Sequence, residues 1–155
     1  MDVQCSIDLD WSSGDGSGNI NMAARRVGYA ALGATGPSNG APSPETLLIA
    51  AISSSYSIAL ANLLRAACLP QTRVSVHGCG IIGSNCGKAQ FTRVIISPTV
   101  HGVDLQQRDA YENAATAARD DCLVGRSIRG NVAYVVGEVV LLDSTPSHRT
   151  PGQFA

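Results

Sequence analysis

Five cysteines, at positions 5, 68, 79, 86 and 122, hold the largest capacity for chemistry in this 155-residue chain. A thiolate attacks peroxides and disulfides and binds soft metals, so the spacing of the five decides what they can do. Their number is odd, and no two stand in a CxxC or CxxCH pattern. Cys79 and Cys86 are close enough to suggest a disulfide or half a zinc site, yet only His77 stands nearby as a further soft ligand. The expectation is ordinary reduced thiols, with no metal and no cofactor.

A second cluster is the run Ser53-Ser54-Ser55-Tyr56-Ser57. A serine becomes a nucleophile only beside a base. The histidines, at 77, 101 and 148, fall in strand, loop and tail, and nothing resembles the nucleophile elbow of a hydrolase. Glu45 follows Ser43-Pro44, which reads as a helix start: Ser as N-cap, Pro in the first turn, a carboxylate at the positive end of the dipole.

These residues need elements to hold them. Val3, Cys5, Ile7 and Leu9 alternate with polar residues, so a strand runs to about Trp11. A Gly/Ser turn follows, then a strand from Asn19 to Met22 and a further short one from Val27 to Leu32. The glycines at 14, 16 and 18 do not form a phosphate loop, because a strand and not a helix follows them. Gly33 to Pro42 is a loop. A long helix then runs to about Cys68 and stops before Pro70. Its faces are apolar or small all round, which predicts a helix covered on every side and buried rather than membrane-spanning. Strands are expected from Thr72 to Ile82 and from Ala89 to Val100. Asp104 caps a second helix bearing Tyr111, Ala114, Ala115 and Ala118; after a break at Asp120-Asp121, a short helical piece covers Cys122 to Ile128. Asn131 to Leu142 reads as one long final strand, and residues 144–155 as a disordered tail. The fold class is α+β, a single domain over residues 1–143. One chain of this size struggles to cover such a helix, so an intertwined homodimer is expected.

Three segments resemble the OsmC/Ohr family. Pro44-Glu45-Thr46-Leu47-Leu48-Ile49-Ala50-Ala51 is similar to the family's "NPEELLAAA", Cys122-Leu123-Val124-Gly125 stands where it has "CPVS", and Gly130-Asn131-Val132 opens the last strand as its pattern does. The resemblance implies antiparallel sheets wrapped around a central helix, an interwoven homodimer, and reduction of organic hydroperoxides by a cysteine pair. It further implies an arginine from the N-terminal hairpin and the motif glutamate holding the attacking thiolate. At the attacking position, in a segment the family writes "HAACFSMAL", this chain has Ser55. A serine forms neither a sulfenic acid nor a disulfide. Ala-Ala-Cys-Phe has become Ser53-Ser54-Ser55-Tyr56, and the proline and serine of "CPVS" are Leu123 and Gly125, so the whole site has diverged. The hairpin tip carries no cation, leaving Arg25 and Arg26 as the alternatives.

On this reading Ser55, Cys122 and Glu45 are the candidate catalytic residues, with Tyr56 and Ser54 as ligand contacts. Each has a plainer role open to it. Ser55 is a small residue allowing close helix packing, Glu45 a helix-start carboxylate, Tyr56 a core filler, and Cys122 an inert buried thiol. As a functional thiol, Cys122 would have its thiolate favoured by a helix start and opposed by Asp120 and Asp121. The partners expected are a second copy of the chain and a small organic molecule or hydroperoxide. A net charge of −1 without a basic stripe argues against nucleic acid. No leader pattern is visible at the N-terminus, so cytoplasm is the expectation.

Overall fold

In a computed structural model the described residues are 5, 7–12, 17–22, 25–31 and 40–143. The expected disordered tail and the loop up to residue 39 lie outside them, as does Val3 of the first strand; Cys5 and Ile7 are described and precede that strand, which begins at Asp8. The chain divides into two compact units, residues 1–50 and 51–155.

In the first unit, strands β1 (Asp8–Ser12), β2 (Ser17–Met22) and β3 (Arg25–Ala30) form an antiparallel meander in chain order. Gly18 of the middle strand lies opposite Tyr29, and a Cβ there would sit 2.5 Å from that ring. The glycine thus makes room for an aromatic packed across the strand. Helix α1 (Pro44–Ala66) starts in this unit. The Ser43 hydroxyl accepts from the Thr46 N–H at 3.3 Å, the N-cap expected from the sequence.

In the second unit, β4 (Arg73–Asn85) and β5 (Lys88–Val103) make a long antiparallel hairpin, and β6 (Ala133–Val136) and β7 (Val140–Asp143) pair in parallel with the other edge of β5. The hairpin turn has two residues, Cys86 at φ 51° and Gly87 at φ 77°, the left-handed pair that matches strand twist. The expected single final strand is broken in two. Pro98 of β5 has no N–H to give, and β6 and β7 flank the stretch opposite it. Gly137 bridges there, its N–H bonded to the Ile96 carbonyl at 2.8 Å and its Cα too near Ser97 to carry a side chain.

Asp104 caps a single 3₁₀ turn (Leu105–Gln107), not the helix itself, which follows as α2 (Arg108–Asp121). Helix α2 runs through the aspartates, and the break falls at Cys122, before α3 (Leu123–Ile128). Tyr111, Ala115 and Ala118 are its buried stripe, and the Tyr111 hydroxyl donates to the Pro70 carbonyl at 2.6 Å. The core collects these with Ile52, Tyr56, Leu60 and Leu64 of α1 and with Val94, Ile96 and Val100 of β5.

Helix α1 departs from the expectation of burial on all sides. Within one chain only Ile52, Tyr56, Leu60 and Leu64 are buried, one stripe at four-residue spacing, while Ile58 is 63% exposed. The helix is long and apolar enough to cross a membrane by length and composition alone. Its C-terminus closes with two backbone bonds, Leu69 N–H to Leu64 at 2.9 Å and Cys68 N–H to Arg65 at 3.1 Å. This is the Schellman pattern, with Cys68 at φ 54° where glycine is usual.

Candidate functional site

Cys122 sits at the junction of α2 and α3 with an extended backbone, φ −63° and ψ 111°, and is wholly buried. Its own N–H still bonds back into α2, to the Ala118 carbonyl at 2.9 Å. Its sulfur then accepts the Gly125 N–H at 3.3 Å and turns its proton toward the Ile52 carbonyl at 3.8 Å. The thiol therefore caps α3, supplying an acceptor to one of the N–H groups that a helix start leaves unpaired.

Ser55 takes a neighbouring donor. Its hydroxyl oxygen accepts the Val124 N–H at 3.4 Å. Two residues 67 positions apart in sequence thus serve successive amides of one helical turn. The tertiary structure brings Ser55 and Cys122 to the same place, and both act there as hydrogen-bond acceptors.

A third group was missed from sequence. Tyr134 of β6 is 8% exposed, and its buried hydroxyl has no hydrogen-bond partner. Burial raises its pKa well above the ordinary phenol value, and the neighbouring Cys122 pushes the same way. The ring lies over Gly125, where a Cβ would overlap the Tyr134 ring. The departure at Gly125 from the family's "CPVS" is the one trace of this ring that the sequence carried.

Tyr56 is in the core, its hydroxyl donating to the Ala115 carbonyl at 2.7 Å. Burial, and then the charge on a Cys122 thiolate, raise its pKa as well. Ser54 faces outward and bonds back to the Ala51 carbonyl at 3.0 Å. Helix α1 already includes Glu45, so the chain does not fold back as direct cooperation between Glu45 and Ser55 would need. The Ser43 hydroxyl and its own backbone N–H hold the Glu45 carboxyl below the usual range, while its Oε2 is shielded without a partner. Arg26 is engaged on the first sheet, 3.8 Å from Asp10 and bonded to Asn21 at 3.3 Å.

Asp120 is clamped by Arg119 at 3.1 Å and by Arg129 at 2.6 Å. The two guanidiniums, Arg119 first, hold its carboxyl below the usual value. They also neutralise one of the two charges expected to repel a thiolate at Cys122.

Beside this junction lies an open groove of about 390 Å³ between the outer side of α1 and the α2–α3 turn. Ile58, Ala59, Leu63, Ala66 and Leu123 form its apolar walls, and Ser55, Asn62 and Asp121 supply polar groups. Of the expected site residues, Ser55 alone lines it; Tyr56 and Ser54 do not. Among the described residues no group of three His, Cys, Asp or Glu comes together as metal ligands.

An α+β chain with a long helix and a mixed sheet is the architecture of the OsmC-like class. The family model for OsmC-like protein matches residues 36–136, and the chain belongs to that family. The fold is shared with an OsmC-like protein from Mycoplasma pneumoniae at 12% identity and a TM-score of 0.78, covering 92% of this chain and 99% of that one. The organic hydroperoxide resistance protein OsmC from Legionella pneumophila, described as a predicted redox protein, shares it at 20% identity and TM-score 0.68, covering 90% and 99%. The organic hydroperoxide resistance protein OhrB of Bacillus subtilis does so at 16% and 0.66, covering 88% and 98%. No curated protein sequence matches the chain.

Proposed function

We propose that this protein is a homodimeric, cytoplasmic member of its family that binds a small organic molecule in the groove beside Ser55, without two-cysteine peroxide chemistry. The observation that carries the reading is the state of Ser55. It stands where the family resemblance places the attacking cysteine, its oxygen is occupied by the Val124 N–H, and it borders an apolar groove of about 390 Å³. That volume lies within the range of small-molecule sites. The dimer is supported by α1, whose apolar side beyond the single buried stripe is left to solvent by one chain. Light scattering that finds a folded monomer at micromolar concentration refutes the dimer. Native mass spectrometry after incubation with a metabolite extract is expected to show a ligand at one per chain; a protein that stays ligand-free there, and whose Ser55 amide signal does not shift, refutes the binding reading.

A second reading has one observation in its favour: the Cys122 sulfur rests on an amide N–H beside an unpartnered phenol hydroxyl. In this reading the thiolate attacks a hydroperoxide oxygen, an alcohol leaves, and the resulting sulfenic acid is reduced by an external dithiol with release of water. The assay is consumption of cumene hydroperoxide with dithiothreitol. Equal rates for wild type and Cys122→Ala eliminate this activity.

A further inference from the structure

The groove beside Ser55 has an electrostatic signature as well as a shape. Asp121 is the last residue of the 14-residue helix α2, at the negative end of its dipole. A carboxylate there is unfavourably placed unless a cation offsets it. Its neighbour Asp120 has two such cations, Arg119 and Arg129. Asp121 has no ion pair or hydrogen bond among the described residues, and it lines the groove.

Two other cations of this unit, Arg65 and Arg126, do not line the groove. Arg65, the basic residue in the last turn of α1, bonds to Asn62 at 3.1 Å and lines a separate depression with Cys68, Leu69, Pro70 and Gln71. What remains is an apolar trough with one uncompensated carboxylate on its wall and a serine hydroxyl that still has a proton to donate.

We infer that the groove selects an organic amine: a molecule with an apolar body lying against Ile58, Leu63 and Leu123 and an ammonium group paired with Asp121. The inference rests on the ligand-binding reading above and names its ligand class. A carboxylate ligand would meet Asp121 and the α2 terminus as like charges, and a neutral ligand would gain only the apolar contact. An ammonium gains both, the second as a charge-assisted hydrogen bond to an exposed carboxylate.

The test uses three probes of nearly one shape, 2-phenylethylamine, 2-phenylethanol and phenylacetate, titrated at pH 7 into the isotopically labelled full chain and followed by amide shifts. The amine is expected to bind about threefold tighter than the alcohol, and phenylacetate more weakly than either. Asp121→Asn is expected to remove the preference, bringing the amine's affinity down to that of the alcohol. Because Asp121 is exposed, its variant keeps the fold, which an unchanged melting temperature verifies. If all three bind alike, or if Asp121→Asn leaves the amine's affinity intact, the amine inference is overturned and the ligand reading survives. If none of the three shifts the Ser55 or Leu123 amides, the amine inference is overturned, while the ligand reading stands or falls on the metabolite-extract experiment.

Discussion

Replacing Cys122 by alanine and by serine separates a capping thiol from a merely apolar one. The side chain is fully buried and its sulfur accepts the Gly125 N–H at 3.3 Å. Alanine removes the cap, worth about 1 kcal/mol, and leaves a gap the size of a sulfur atom in a closed site, worth about 1 kcal/mol more. The expected loss is therefore about 2 kcal/mol. Serine keeps an acceptor for Gly125 and a proton for the Ile52 carbonyl, and serine is among the best N-caps, so its loss is expected to be about half as large or less. For an ordinary buried thiol the order is reversed, because a hydroxyl in apolar surroundings costs more than a methyl. Urea unfolding of both variants at one fixed protein concentration, with the slope unchanged, provides the comparison. In melting temperature, for 155 residues, about 2 kcal/mol corresponds to a drop of about 4–8 °C. A serine variant less stable than the alanine variant refutes the capping role.

The two buried phenols make an opposed pair. Tyr56→Phe loses the bond to Ala115 and is expected to cost about 1 kcal/mol, whereas Tyr134→Phe removes a hydroxyl with no partner and is expected to be neutral or slightly stabilising in the same urea assay. Cys68→Gly is expected to stabilise by about 1 kcal/mol, because the side chain at φ 54° is held in left-handed backbone; a destabilised variant in thermal unfolding counts against this. The depressed pKa of Asp120 implies stability that is present above its unfolded value and lost as pH falls through the lower folded one. Asp120→Asn is thus expected to be less stable than wild type at pH 7 and equal to it once Asp120 is protonated in both the folded and the unfolded wild type. Equal stability at both pH values contradicts the linkage.

Much of the fold was legible because its signals are local. The alternation leading to Trp11, the Ser43-Pro44-Glu45 helix start and Pro70 as a stop each act within a few residues. The last strand was misread as continuous because its break is imposed from across the sheet, where Pro98 withholds a donor and Ser97 crowds Gly137. Asp104 was placed correctly as a cap but assigned to the helix, since the intervening 3₁₀ turn leaves no separate mark in composition.

For the site, residue types alone established what is chemically unavailable: with serine at position 55, no disulfide to Cys122 can form there. The resemblance to the family's "CPVS" selected Cys122 as the thiol of interest, and its place ahead of a helical segment gave that choice a physical reason. Only the tertiary structure decided what these groups are doing. Ser55 and Cys122 share the amides of one turn because α1 packs against the α2–α3 junction, a contact spanning 67 or more positions that no local pattern encodes. Tyr134 entered the site, and Tyr56 and Ser54 left the groove, for the same reason. Side-chain direction on a helix or strand follows from what the element packs against, and that is settled by the assembled core.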